Sequence, residues 1–414
     1  MAGKLQAPRG TFDVLPGDAR RRAALAHTTD AVLGRAGYEP FETPVFEDTE
    51  LFARGVGEAT DIVRKEMFTF EDKAGRSLTL RPEGTAGVCR AYVEHGMHKL
   101  PQPVKLRYWG PYFRHESPQA GRFRQFTQIG AEALGSDDPS LDAEIVLLLV
   151  ELVEAAGARD LRVRLSSLGT PETREAYLAE LREYLREHEA KLSEDVRERL
   201  AGNPLRAFDA DHPGTRAVME RAPRLLDRLS ADDAEHFAAV RALLDDSGLD
   251  YEVDTTLVRG LDYYTRTVFE VESGILGAQN ALGGGGRYDR LVEQLGGPST
   301  PGVGLAAGVE RILLAVAPED HEPSGGVYVA VAAPAAAAAA FALATQLRRR
   351  GVRVELEQAG RSLKGQLRQA DRIGARATVI VGDAIEVKDM GSGEQTAAAG
   401  PEEALTLVEN ALDL

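Results

Sequence analysis

At 414 residues, 43% of them hydrophobic and 28% charged, the chain is long enough for two or three domains with cores of ordinary composition. Its single cysteine, Cys89, excludes an intramolecular disulfide and fits a reducing cytoplasm; the absence of a run of about 18 apolar residues excludes a spanning helix, and the N-terminal MAGKLQAPRG has no apolar core for export. A net charge of −16 counts against a nucleic-acid-coating surface as a whole, but binding follows local patches.

Taken in chain order, residues 17–37 read as a helix that follows Pro16 and Gly17, with Asp18 as N-cap and Gly37 at its end. YEPFETPVFE (38–47) is held extended by Pro40 and Pro44. Residues 66–81 predict a hairpin turning at Gly75, followed by a helix from Thr85. Two strands, 104–116 and 123–134, flank a polar loop, and a long apolar helix follows at 140–156. From Thr170 to about Asp246 the texture is charged and helix-periodic, which predicts a helical insertion. Strands return at 250–258 and 266–272, and Gly283–Gly286 reads as a glycine loop before a helix at 287–295. The segment 303–317 reads as a strand and then a helix buried through Val309, Ile312, Leu313 and Val316.

A Pro/Gly/acidic linker at 318–326 leads into a small α/β unit. Its strand VYVAVA, alanine-rich helix, strand VRVELE, helix 361–374, strand ATVIVG, hairpin at Gly391-Ser392-Gly393 and last helix from Pro401 succeed one another in order. Within it, 341–376 carries nine basic residues against Glu355, Glu357 and Asp371. On charge alone such a stretch is a solvated helix face; it also suits a protein that binds and releases RNA.

Five clusters carry polar groups where a bare core would not. Along the strand pair, alternation puts Arg124, Gln128 and Glu132 on one face with Gly130 as a gap, and Arg114 with Glu116 on one face of the partner. Arg81-Pro82-Glu83-Gly84-Thr85 turns a strand into a helix, where Thr85 is a plain N-cap or Glu83 is held for an ammonium group. Arg259-Gly260-Leu261-Asp262-Tyr263-Tyr264 offers a cation and aromatic walls. The four glycines before Arg287-Tyr288-Asp289 permit close backbone approach, and neither a P-loop nor a dinucleotide fingerprint is present. Glu310-Arg311 opens a helix, where a surface ion pair is the plain alternative to a ligand role.

In their order these segments resemble the histidyl-tRNA synthetase family from end to end. PRGTFDVLPG (8–17) resembles the family's opening. YEPFETPVFE is similar to class II motif 1, with Pro44 as its proline, and RYWGPYFRHE…GRFRQFTQIGAEALG (107–135) to motif 2. LVRGLDYYTRTVFE and GGGGRYDRLV resemble the two histidine-specific peptides, GVGLAAGVERILL resembles motif 3, and 325–414 resembles an anticodon-binding domain.

The resemblance implies an α+β catalytic domain, an antiparallel sheet flanked by helices, over 1–169 and 247–320. A helical insertion at 170–246 and a C-terminal α/β anticodon-binding domain at 325–414 complete it. It implies ATP with Mg²⁺, L-histidine and tRNA(His) as partners, a homodimer, no membrane, and no metal site of the protein's own. Arg114 would bind the α-phosphate, Arg311 the γ-phosphate and Glu116 the adenine end, with Arg122 on phosphate or the tRNA acceptor end beside Gln119. Arg259 would face Arg114 across the α-phosphate. Glu83, Thr85 and Gln128 would hold the substrate α-amino group, and Glu132 and Tyr264 the two imidazole nitrogens, with Tyr263 and Tyr288 lining the pocket. The insertion would clasp the acceptor stem and the C-terminal unit read the anticodon. The rival reading is a non-catalytic relative, the regulatory subunit of ATP phosphoribosyltransferase. Such a protein lacks the anticodon-binding unit and loses the arginine and glutamate set that stands here.

Overall fold

A computed structural model describes the chain except residues 1–3, 58–59, 201–203, 258–259, 317–324 and 413–414. It forms two compact units, Met1–Ala317 and Pro318–Leu414.

In the first unit the strands are β1 (Glu39–Pro40), β2 (Phe46–Asp48), β3 (Phe68–Glu71), β4 (Ser77–Leu80), β5 (Val104–Phe113), β6 (Gln125–Leu134), β7 (Leu161–Ser167), β8 (Glu252–Val253), β9 (Thr265–Ser273), β10 (Ala281–Arg287) and β11 (Gly302–Gly308). Eight of them make one sheet in the order β1-β5-β6-β11-β10-β9-β7-β8, antiparallel from β5 to β7 with short parallel partners at both edges. Strands β2, β4 and β3 form a small second sheet. The helices are α1 (Pro16–Arg35), α2 (Thr49–Val56), α3 (Thr85–Glu94), α4 (Pro139–Ala155), α5 (Pro171–Glu187), α6 (Glu194–Arg199), α7 (Pro213–Met219), α8 (Ala231–Asp246), α9 (Leu291–Gln294) and α10 (Val309–Ala315).

Strand alternation decides where the core and the site lie. The odd-numbered residues Ile129, Ala131 and Ala133 of β6 and Val303, Leu305 and Ala307 of β11 pack into one core with Leu33 of α1 and Ile145, Leu149 and Val153 of α4. The even-numbered Gln128, Gly304, Ala306 and Gly308 face a cavity on the opposite side. There a second core joins Tyr108, Tyr112, Tyr263, Tyr264 and Tyr288 to Tyr177, Leu181 and Leu185 of α5.

Several expectations are corrected. Helix α1 begins at Pro16 after Leu15, so Asp18 sits in its first turn rather than capping it; proline fits that start because the first amides lack partners anyway. Strand β5 ends at Phe113, so Arg114 and Glu116 belong to the loop beyond it. The strand expected at 250–258 shrinks to the two residues of β8, and the helix expected at 287–295 to the four of α9. The four glycines are no loop: they form most of β10, between β9 and β11. A Cβ on Gly285 would lie 2.0 Å from the Gly304 carbonyl oxygen, so the chains approach too closely for any side chain there.

In the second unit β12 (Val327–Val331) lies parallel between β13 (Val354–Leu356) and β14 (Ala377–Val381), and the hairpin strands β15 (Ile385–Asp389) and β16 (Gln395–Ala398) extend the sheet antiparallel. Helices α11 (Ala337–Arg349), α12 (Leu363–Arg372) and α13 (Pro401–Leu412) accompany it, the core holding Leu343 and Leu347 of α11, Val329 and Val379, and Leu405 and Val408 of α13. No helix among the described residues is long and apolar enough to cross a membrane.

Candidate active site

The cavity, about 260 Å³, is lined by Glu83, Thr85, Arg114, Glu116, Arg122, Gln128, Tyr263, Tyr264, Tyr288 and Arg311. The first three clusters and the last two of the sequence thus converge on one place, although they lie up to some 230 residues apart in the chain. Arg259 lies outside the described residues.

One end of the cavity is acidic and closed. Glu83 precedes α3, and its carboxylate accepts the amides of Thr85 at 2.8 Å and Ala86 at 3.0 Å. The N-cap position is Gly84, so the Glu83 carboxylate meets the first amides of this helix and the Thr85 hydroxyl takes no part in capping. It donates instead to Glu132 Oε1 at 2.7 Å, where the Tyr108 hydroxyl also donates at 3.0 Å. Tyr288 donates to Glu132 Oε2. Tyr263 reaches Glu83 at 3.4 Å. Both carboxyls are almost wholly buried, at 4% and 1% exposure. Burial pushes Glu83 up against the pull of its two amides. It pushes Glu132 up to about 8, although three hydroxyls pull the other way and the Glu83 charge adds to the rise.

Tyr108 is a residue the sequence reading missed. It pairs in register with Gly130, and a Cβ there would sit 2.0 Å from its ring. The gap expected over Gly130 is filled by this tyrosine. A tyrosine facing a glycine across two strands was the available signal. Glu132 itself stands behind Thr85, Tyr108 and Tyr288 rather than on the cavity wall. A carboxylate offers about four acceptor positions and three are taken. The remaining one is on Oε2, which lies 1.8 Å from where a Cβ on the cavity-lining Gly304 would be. On the cavity wall, Gln128 Oε1 is buried without a hydrogen-bond partner, an acceptor open to a donor from a ligand.

The other end is basic and more open. The Arg114 guanidinium donates to the Pro82 carbonyl at 2.9 Å and stacks over Phe126 at 5.4 Å. Arg122 forms an ion pair with Glu116. Arg311 donates to the carbonyls of Gly121 at 3.1 Å and Ala281 at 2.9 Å. Glu310 turns away to Arg22 at 2.6 Å and to the Thr127 amide, while Arg21 donates to the Leu313 carbonyl at 2.6 Å. The pair Arg21-Arg22 of α1, also unforeseen, thereby fixes the helix that carries Arg311. Arg124 is not part of the wall: its side chain donates to the Glu116 carbonyl at 3.3 Å. Gln119 is exposed, bridged to Arg122 through the backbone at the loop tip.

Behind Tyr288, Arg287 is fully buried and donates to Asp142 at 3.1 Å. His236 of α8 approaches the same carboxylate at 3.4 Å. Burial would raise Asp142, but His236 and Arg287 outweigh it and hold the group below its ordinary value.

In the second unit part of the basic stretch serves the fold. Arg348 donates to the Val354 carbonyl at 2.8 Å, Arg350 pairs with Glu409 at 2.9 Å, and Arg376 donates to the Leu412 carbonyl at 3.0 Å. Arg349, Lys364, Arg368 and Arg372 remain exposed.

An antiparallel sheet with arginines at one end of its cavity and buried carboxylates at the other has the form of a class II aminoacyl-tRNA synthetase. The pattern of the family described as Histidyl-tRNA synthetase matches residues 10–312, and that of the Anticodon binding domain matches 326–409. The chain is 50% identical to the "Histidine--tRNA ligase" of Rubrobacter xylanophilus over 95% of its own length and 96% of that protein's. It is 46% identical to that of Thermosynechococcus vestitus over 94% and 93%. The crystal structure of apo S. aureus histidyl-tRNA synthetase superposes with a TM-score of 0.82 at 35% identity, covering 98% of this chain and all of that one. The chain belongs to the histidyl-tRNA synthetase family. An ATP phosphoribosyltransferase regulatory subunit/histidyl-tRNA synthetase from Bacillus halodurans shares the fold at 21% identity and a TM-score of 0.63, covering 89% and 97%; the named ligases, at more than twice that identity, favour the ligase over the regulatory reading.

Proposed function

We propose that the cavity activates L-histidine with ATP and passes the histidyl group to the 3′ end of tRNA(His), with its acidic end holding the amino acid and its basic end the nucleotide. The observation that carries this division is the buried, unpartnered Gln128 oxygen on the cavity wall that Glu83 and Thr85 also line. An ammonium group placed there meets Glu83, the Gln128 oxygen and a lone pair of the Thr85 hydroxyl. The imidazole takes the open position on Glu132 Oε2, with Tyr264 on its other nitrogen and Tyr263 and Tyr288 as walls. A site that hydrogen-bonds both ring nitrogens leaves buried groups unpaired with any other amino acid, and such rejection can reach about 10⁴–10⁵.

At the basic end Arg114 binds the α-phosphate, Arg311 the γ-phosphate, Glu116 the adenine end, and Arg122 phosphate or the acceptor end. The histidine carboxylate oxygen attacks the α-phosphorus in line, and the bond to pyrophosphate breaks with its electrons leaving on that group. Arg114 and Arg259 stabilise the charge on the α-phosphate oxygens as this happens. Mg²⁺ would accompany the ATP phosphates and offset part of their charge. The terminal ribose hydroxyl of tRNA then displaces AMP from the acyl carbon, with Gln119 on the loop that meets it.

The domain division follows the resemblance: a catalytic core over 1–169 and 247–320, an insertion at 170–246 that meets the acceptor stem, and 325–414 reading the anticodon with the exposed arginines of α11 and α12. The motif 1-like segment lies at a homodimer interface in the cytoplasm. Phe46 and Phe70 support this, exposed at 52% and 43% and set edge to face on the small sheet. The role of Arg259 is tested by Arg259→Ala. It retains ATP binding within about threefold by calorimetry and loses adenylate formation by roughly 10²–10³ in a single-turnover assay. Normal adenylate formation in that variant contradicts the mechanism.

A further inference from the structure

The tyrosine loop at the acidic end is held from outside the cavity. Arg174 lies in the first turn of α5, half-buried, and its Nη1 donates to the main-chain carbonyl of Tyr264 at 2.7 Å across 90 residues of chain. Two residues further on, Arg266 is one of two non-glycine residues with positive φ among the described residues, at 45°. Such a conformation costs about 1–3 kcal/mol and persists only where the surroundings over-determine it. Here they do. The Arg266 amide donates to the Gly169 carbonyl at 2.8 Å, its carbonyl accepts from the Leu168 amide at 2.7 Å, and its side chain donates to Asp233 at 3.1 Å. Asp233, fully buried in the first turn of α8, also accepts from the Thr170 amide at 3.0 Å and the Thr173 hydroxyl at 2.7 Å, so it locks the starts of α5 and α8 together. The stretch from Tyr264 to Arg266 is thus gripped at both ends by the start of the helical segment.

We infer that Arg174 is a positioning residue for the amino-acid end of the cavity, through the Tyr264 carbonyl. Its guanidinium does not line the cavity and acts only on the backbone that aims the Tyr264 side chain. Burial lowers its hold on its proton, opposed by the Asp262 charge, so the cation is partly withdrawn from water where it meets the Tyr264 carbonyl. The α5 helix contributes no side chain to the cavity wall, yet it sets where one wall stands. The inference rests on the proposed division of the cavity and adds that the helical segment shapes the amino-acid half but not the nucleotide half.

The test is histidine-dependent pyrophosphate exchange by the full chain, wild type beside Arg174→Met, which keeps the bulk of the stem and removes the donor. The histidine KM rises about tenfold, as for loss of an outer hydrogen-bond partner, while kcat and the ATP KM stay within about twofold. Arg174→Lys, a charged donor on a similar stem, recovers most of the histidine KM. Arg174→Gln, too short to reach the carbonyl, reproduces the methionine result and stands in for it if the methionine variant does not fold. A purely structural role lowers Tm without separating the two KM values. An unchanged histidine KM, or one that rises in parallel with the ATP KM, overturns the inference while leaving the function intact. Wild type without histidine-dependent exchange overturns both.

Discussion

At the acidic end of the cavity each carboxyl oxygen of Glu83 and Glu132 is buried and already met by a hydroxyl or an amide. At the basic end Arg114 and Arg311 rest on neutral backbone carbonyls, and Arg122 is 43% exposed. The first arrangement is rigid before any ligand arrives and suits discrimination, because a wrong side chain cannot be accommodated by movement. The second gathers three guanidinium groups on a more open wall and suits an incoming polyphosphate whose charge changes during reaction.

The contrast breaks first at Arg114. Arg114→Ala lowers kcat for pyrophosphate exchange by roughly 10²–10³ because its interaction strengthens in the transition state. Arg122→Ala, on an exposed loop and already paired, costs about tenfold less. Equal losses in kcat would mean that Arg122 supports the transition state as strongly as Arg114, and the assignment of Arg114 as the arginine of the α-phosphate fails. The same comparison is sharpened by pH. Glu132 is held at about 8 against an ordinary 4.5, so the folded chain binds this proton more tightly than the unfolded one, and the group's effect on stability becomes less favourable as pH rises from 4.5 to 8. Glu132→Gln removes that slope. The Tm of the variant relative to wild type therefore climbs across this window by several degrees, in a direction that melting curves at pH 5 and pH 8 decide. A flat difference would place an ordinary carboxyl at the acidic end.

These differences bear on what could be read in advance. The β5–β6 pair was legible because its alternation is strict and β5 buries every second residue, and the second unit because its strands and helices succeed one another with clear periods. Strand β10 was not: glycine has no face to alternate and reads as a loop, and only its closeness to β11 explains it. The residue types of the site were visible, and their convergence came through the family resemblance rather than from any local pattern. Tyr108, Arg22 and Arg174 escaped because each acts on a partner distant in the chain, at separations of 24, 288 and 90 residues. The three hydroxyls that meet Glu132 were not legible either, because Thr85, Tyr108 and Tyr288 come from three separate segments of the chain.

The most direct test of the division is pyrophosphate exchange into ATP, without tRNA, with each of the twenty amino acids, for wild type and Glu132→Gln. Wild type exchanges with histidine alone, and the variant loses on the order of 10²-fold in kcat/KM for histidine with its ATP KM unmoved. Exchange of wild type with another amino acid at comparable kcat/KM, or a variant as selective as wild type, would contradict the claim that the buried carboxyl end reads the imidazole.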